Sequence, residues 1–581
     1  MRRFPFRWFI LIVLLLTLLL SCLPGHAEEE YLSTISFRMT ASLIRGENNV
    51  RIVDQPGGKT AVATLKQGDT CRILGYSGNY YRVSFQNQTG YILQKKLALK
   101  GQELSKPLKE EHLSDLKLED YIPRRSEAEA LTLTGTIRSE NKLNALYFFV
   151  WNARLLKVES ALMIPITEPA DTIPVSSLKK KLTTPGVTAG RKLLVIEGVS
   201  GDTTTVLFRT LYSVRGNTAD PAHVTGMCTV SNQGVLSESL TTGWKVPNAK
   251  TALTVEIPEK AKASLITMEW RKPPEAFTVE LYGEKDNLLS AETRSTGFYI
   301  DAQALTEDVR KVKIFAKGEN VFLTTLRVYP QRYAQHAVQE WQPLPDKVDV
   351  MAVSAHQDDE LLFLGGTVPY ACAKGKAVAM VYMTNGGRER YREALDGMWT
   401  AGLRYHPIFV HWRDAKVSSL SATENIWKNN YGADPRIYIV RLIRRYRPDV
   451  VVTQDLNGEY GHNQHKLTAI LWSEAVKLSK DESYDPASVK QYGAWEVKKM
   501  YIHLYAENQI TMDWDMPLNN GTPFTPIMLA KEAFDRHRSQ QAAFNMDKHG
   551  VWYNNRLFGL YYTAVGPDVK KNDFFENLPA D

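Results

Sequence analysis

Near residue 347 the chain changes texture, and that change limits what it can fold into more than any other feature. Before it, short β-rich runs are separated by glycine turns. After it, strand-like runs at 348–354, 377–383, 408–411, 450–453 and 500–504 alternate with helix-like stretches near 388–404, 434–447 and 464–478. Such alternation predicts a mostly parallel α/β sheet with helices on both faces. Sheets of that kind bind ligands beyond the carboxyl ends of their strands. At 581 residues the chain exceeds the roughly 250–300 residues that one core serves, so several domains are expected.

The first 27 residues read as a secretory signal: a basic head with Arg2, Arg3 and Arg7, an apolar run at 8–20 and a Gly25-His26-Ala27 exit. The run falls short of the ~20 residues a spanning helix needs. Leu19-Leu20-Ser21-Cys22 also resembles a bacterial lipoprotein box, in which Cys22 would become the lipidated N-terminus. The expected location is therefore extracellular or on the cell surface or wall. A net charge of +7, part of it in the signal, is too mild to imply nucleic acid. Cys71, Cys228 and Cys372 fall in different segments, which argues for free thiols rather than a disulfide framework or a cysteine metal site.

Residues 36–100 carry several short strand signals and turns, as a small β-barrel does. Asn49-Val50-Arg51 near its start and Gly90-Tyr91-Ile92 near its end resemble the bacterial SH3 domain, which implies attachment to a cell-wall polymer. Residues 101–129 are rich in Lys, Glu and Asp and read as a charged linker. Hairpin-like alternation at 130–216 predicts an immunoglobulin-like β-sandwich. Residues 217–330 look like a galactose-binding-like β-sandwich, with Trp244 and Trp270 read as core rather than as sugar platforms. Residues 331–346 read as a linker and 347–575 as the α/β domain.

The first strand of that domain runs straight into Ala355-His356-Gln357-Asp358-Asp359-Glu360. Adjacent carboxylates at a sheet opening cost several kcal/mol to bury unless a cation compensates. The run at 449–453 leads to Gly458-Glu459-Tyr460-Gly461-His462-Asn463-Gln464-His465, so both histidine-bearing loops can converge on one edge. Two imidazoles and a carboxylate are a common catalytic zinc set with a position left for water. His406, His411, His503 and His537 read as structural or surface residues, and Arg441, Arg444, Arg445 and Arg447 as a solvent-facing stripe. No GxxxxGK[ST] loop or GxSxG elbow is present, so nucleotide hydrolysis and serine catalysis find no support.

These motifs, with Thr384-Asn385-Gly386 and Arg392-Glu393, resemble the PIG-L/LmbE-like zinc-dependent N-acetylglucosaminyl deacetylases, and the α/β domain is expected to share their Rossmann-like fold. The resemblance implies that His356, Asp359 and His465 bind Zn2+, or another divalent metal such as Fe2+. It makes Asp358 the general base, His462 a second acid/base or electrostatic group and Tyr460 a helper near the oxyanion. Arg388 is the candidate for substrate binding. Two departures stand out: Gln357 where the family often has Pro, and Asn463-Gln464 where it often has Pro-Asp, so Gln464 must orient a ligand as a neutral amide. The expected function is removal of the acetyl group from an amino sugar in a surface glycan or glycoconjugate. Alternatives are the same chemistry on a small amide conjugate, or a non-catalytic surface glycan-binding protein.

Overall fold

The structure, a computed structural model, describes residues 39–579 apart from short interruptions, the longest at 102–107, 119–131, 179–186, 215–222 and 332–337. The expected signal segment and Cys22 lie outside the described residues. Among those described, no helix is long and apolar enough to cross a membrane.

The expected small β unit is an antiparallel seven-stranded sheet running from Met39–Leu43 to Leu97–Gly101. Alternation places Val50 and Ile52 inside and Arg51 outside. Gly90 is required by close approach, since a Cβ there would meet the Ile52 side chain and the Val53 carbonyl at 2.6 Å.

Residues 133–214 depart from expectation. An immunoglobulin-like sandwich has two facing sheets, but here the long strands Leu133–Asn152 and Lys157–Pro174 join Gly190–Ser200 and Thr203–Val214 in one antiparallel sheet. The reason lies in the run at 143–151, which is apolar on both faces. Tyr147, Phe149 and Trp151 pack with Ile52 and Val83 of the first unit and with Leu518, Phe524 and Leu529 of the C-terminal domain. Leu146, Phe148 and Val150 pack with Ile164, Leu194 and Ile196. The second sheet is replaced by neighbouring domains.

Part of the expected linker at 101–129 belongs to this unit as well. Asp115–Leu118 pairs with 133–136, and Lys109 and Glu111 exchange backbone hydrogen bonds with Val206. The linker at 331–346 is likewise partly docked: Trp341 is buried, and Gln342 pairs with the backbone around Tyr405. Three cysteines are free, as expected.

Residues 223–330 form two sheets, of five and four strands, enclosing one core. Trp244 and Trp270 sit in that core, 5% and 2% exposed. Trp270 donates its indole N–H to Asp301, which also accepts from the backbone N–H of Phe298. Asp301 thereby fixes the loop that docks this domain: Phe298 stacks on His406, and Tyr299 lies against Tyr391 and Phe409. Burial pushes the Asp301 carboxyl up to about 7 despite those bonds.

The C-terminal domain contains the strands β1 (Val350–Ser354), β2 (Val378–Asn385), β3 (Ile408–Arg413), β4 (Val450–Thr453), β5 (Lys499–His503), β6 (Gln509–Thr511) and β7 (Leu557–Thr563). Their order is β3-β2-β1-β4-β5-β7-β6. The first five are parallel, as expected, and β7 and β6 add an antiparallel edge that the sequence reading did not anticipate. Both faces are covered: Val350 and Ala352 face one core, Met351 and Val353 the other. Helices include α1 (Asp359–Leu362), α2 (Thr367–Ala373), α3 (Gly387–Thr400), α4 (Leu420–Tyr431), α5 (Pro435–Tyr446), α6 (Asn463–Leu478), α7 (Pro486–Tyr492), α8 (Pro526–Phe534) and α9 (Met546–Trp552). Successive strands are added on opposite sides of β1, first β2 and later β4. The loops after β1 and β4 therefore splay apart and leave a crevice between them.

Arg444 corrects the expected solvent-facing stripe on α5. It is fully buried and donates to the carbonyls of Ser479, Asp481 and Tyr484, while Arg445 is exposed. We expect Arg444→Ala to destabilise the domain by on the order of 3 kcal/mol, because it strands several buried acceptors. Arg445→Ala should stay within about 0.5 kcal/mol, and urea unfolding of both variants checks the contrast. A second expectation concerns Asp301. An unfolded Asp titrates near ~3.9, so between about pH 4 and 7 the folded state keeps a proton the unfolded state has lost, and this contribution to stability falls as pH rises. Asp301→Asn should remove that slope, raising the thermal midpoint relative to the parent at pH 8 but not at pH 4.

Candidate metal centre and active site

The turn after β1 brings His356, Asp358 and Asp359 to the crevice, and the loop after β4 brings Tyr460, His462 and His465. Three of these atoms form a tight triangle. His356 Nδ1 lies 3.0 Å from Asp359 Oδ2 and 3.2 Å from His465 Nε2, and His465 Nε2 lies 3.2 Å from Asp359 Oδ2. The ring of His462 stands 4.8 Å from His356 and 4.6 Å from His465, and donor atoms of the three histidines fall within 4.8 Å of one another, a group that could hold a metal ion.

The remaining ring nitrogens of His356 and His465 are committed. His465 Nδ1 bonds Glu459 at 2.8 Å, and His356 Nε2 bonds the Gln464 amide oxygen at 2.7 Å. Those bonds leave His465 Nε2 and His356 Nδ1 aimed at Asp359, as ligand orientation requires. Gln464 thus meets His356 as a neutral amide. Gln357 donates to the Thr384 carbonyl and fills the space beside Gly386, where a Cβ would come within 2.2 Å of its amide oxygen.

The buried carboxylates Asp358, Asp359, Glu360 and Glu459 make this pocket one that favours a cation. Burial opposes ionisation of Asp359, but His465 and His356 outweigh it and hold its carboxyl well below the usual range. Burial likewise opposes charge on His356 and His465, yet Asp359 pulls them up to about 10 and about 9. Two N–H bonds cannot point at each other across 3.2 Å, so at most one proton fits between the rings. A single cation in the triangle satisfies all three groups. The edges of 3.0–3.2 Å approach the ~3.3 Å separation of ligand atoms around a tetrahedral ion with bonds of ~2.0–2.1 Å, so the donor set fits a zinc-type ion.

Asp358 is 2% exposed and sits at φ 122°, a conformation L-residues rarely adopt. Its N–H bonds Glu360, which is held in turn by the Tyr382 hydroxyl, and its carboxylate pairs with Arg390 at 2.5 Å. Burial first, and then the charge of Asp359, push the Asp358 carboxyl up to about 7. Burial and the two neighbouring imidazoles bring His462 down to about 4. Its Nδ1 has no hydrogen-bond partner among the described residues. Tyr460, 46% exposed, lies over His465 and His462 with ring centres at 5.2 and 5.6 Å.

Arg388 is not part of this cluster. It lines a separate cleft with Glu269, Trp270, Arg271 and Tyr299, and Arg390 reaches Asp358 instead. Residues two apart on a helix point in different directions, and the sequence could not set the phase of α3 at its first turn. His503 and His537, read as structural or surface residues, stand directly behind the site: His503 bonds Glu459 at 2.6 Å and His537 lies 3.5 Å from Glu360. Glu459 and Asp414, 3.6 Å from His356, were missed. The one available signal for Glu459 was its place within a glycine-flanked loop beside the paired histidines.

Together these features define an α/β domain with a candidate mononuclear cation centre at its switch point. Residues 351–476 match the PIG-L family, described as GlcNAc-PI de-N-acetylase. Similar curated proteins include the 1D-myo-inositol 2-acetamido-2-deoxy-alpha-D-glucopyranoside deacetylases of Mycolicibacterium smegmatis, 29% identical over 28% of this chain and 61% of that protein, and of Salinispora arenicola, 24% identical over 41% of this chain and 93% of that protein. This chain thus spans 61% of the length of the first relative. Among solved structures, the N,N'-diacetylchitobiose deacetylase from Pyrococcus horikoshii aligns with a TM-score of 0.28 at 20% identity, over 36% of this chain and 76% of that one.

Glu459→Gln should weaken divalent-metal affinity by about 10–100-fold, since the amide cannot charge-assist both His465 and His503. Chelator competition measures this directly, and an unchanged affinity would remove Glu459 from the orienting role.

Proposed function

We propose that the protein is an exported zinc-dependent deacetylase that hydrolyses the N-acetyl amide of an amino sugar in a cell-surface glycan or glycoconjugate. The observation that carries this reading is the His356–Asp359–His465 triangle with Asp358 buried beside it. Those three residues would hold Zn2+, with Fe2+ as the alternative ion. When bound, the ion lowers the pKa of water toward ~7 and polarises the amide carbonyl.

The chain's own groups do the rest. Asp358 takes the proton of the attacking water and, with its carboxyl raised to about 7, can return it to the departing amine. Arg390 and the Glu360 contact keep that carboxylate in place. His462, held neutral, and the Tyr460 hydroxyl are positioned to donate hydrogen bonds to the developing oxyanion. The basic and apolar leader supports export, and the Rossmann-like strand order of the α/β domain supports ligand binding at the crevice. The SH3-type motifs around Val50 and Tyr91 support attachment to a wall polymer.

The substrate named for the curated relatives is a small inositol glycoside, which favours a second reading in which this chain acts on a small conjugate. Metal analysis and acetate release separate the readings. We expect about one divalent ion per chain, lost in His465→Ala. Asp358→Asn should retain metal while its rate falls about 10²–10⁴-fold. Acetate release from N-acetylglucosamine oligomers and peptidoglycan supports the glycan reading, whereas release only from small glycosides supports the other. Protein that binds no divalent metal sinks both.

A further inference from the structure

The strongest unexplained feature outside the metal centre is a file of aromatic rings leading away from it to the surface. Tyr460, beside His462 and His465, is followed by Phe544 at 6.1 Å, then His549 at 5.2 Å from Phe544, then Trp552 at 5.2 Å from His549. Tyr553 flanks Tyr460 at 6.3 Å. The file ends in the open: Trp552 is 69% and Val551 73% exposed. A side chain as large as Trp is seldom left in water without a partner, and an apolar patch joined to a site marks a binding surface.

This patch is rigidly mounted. Asn545 caps α9 by accepting from the N–H groups of Asp547 and Lys548. Gly550 packs so closely on Asn555 that a Cβ would come within 2.6 Å of its amide nitrogen. Asn555 in turn accepts from the Trp514 indole and contacts the Leu362 carbonyl in α1, the helix that begins at Asp359. The platform is thus tied to the same turn that carries the site.

We propose that this file is a subsite for the sugar rings of an extended amino-sugar chain whose acetamido group lies at the metal centre; the inference rests on the deacetylase reading above. Pyranose rings offer C–H faces to aromatic rings and hydroxyls to the polar groups beside them, and Asp547, Lys548 and Asn554 are exposed next to these rings. An acyl chain needs apolar walls on all sides, which this open, polar-flanked file lacks. All rings except Tyr460 lie beyond residue 476, where the family match ends.

The test is calorimetric binding of N-acetylglucosamine pentamer and monomer to the full chain in the Asp358→Asn background, with Trp552→Ala and Trp552→Phe added separately. We expect the pentamer to bind at least tenfold more tightly than the monomer. Trp552→Ala should cut pentamer affinity at least fivefold with less than a twofold change for the monomer, and Trp552→Phe should recover most of the loss. Equal losses for both ligands, no pentamer preference, or unchanged pentamer binding in Trp552→Ala each overturn the subsite. Pentamer binding that depends on Trp552 in a protein whose parent form releases no acetate sinks the deacetylase reading but leaves the subsite. Acetate release without Trp552-dependent binding does the reverse.

Discussion

A carboxylate buried between two imidazoles sets the terms for the rest of the C-terminal domain. Asp359 is 3% exposed and has His356 and His465 against one oxygen. A charge so placed is tolerable only with a cation or proton to meet it. The surroundings enforce that arrangement. Glu459, itself fully buried, holds His465 with one oxygen and His503 with the other, and is kept ionised to about 2 by those two rings despite its burial. His503 comes from β5, His465 from the start of α6 and Asp359 from the end of the β1 turn. The candidate ion site is therefore pinned to three neighbouring parallel strands, and its geometry is as stiff as the sheet.

The same stiffness supports strain. Asp358 at φ 122° costs on the order of 1–3 kcal/mol in backbone energy. Its N–H bond to Glu360, the Glu360 bond to Tyr382 of β2, and the contacts of Arg390 with Asp358 and the Gln357 carbonyl offset that cost and prevent relaxation. The consequence is directional. A relaxed backbone would swing the Asp358 carboxylate away from Arg390 and from the Asp359 edge.

The alternation beyond residue 347 and the two histidine-bearing loops were legible because both are local patterns: strand period, helix period and short ligand spacing. His356, Asp358, Asp359, Tyr460, His462 and His465 do meet at one crevice. What escaped the sequence depends on contacts distant in the chain. Arg390 rather than Arg388 faces Asp358 because of the helix phase at Gly387. Arg444 is buried because the loop at 479–485 folds over it. The sheet at 133–214 needs no second layer because other domains cover it, and an apolar run such as 143–151 does not say which neighbour will do so. Glu459, His503 and His537 acquire roles only through partners on other strands.

Those interdomain contacts bear on how the β units and the α/β domain work together. Arg191 pairs with Asp535 and Arg209 donates to the Asp515 and Pro523 carbonyls, while Trp151 packs edge-on to Phe524. All of these land on the segment at 515–535, which forms α8 and the strand-to-helix turn before it. From α8 the chain passes through His537, next to Glu360, to Phe544 and α9. The β units are thus not tethered at a distance. They clamp α8 and the chain before it, which leads directly to His537 at the back of the site. A clamp of this kind fixes the bearing of the sheet at 133–214 relative to the crevice.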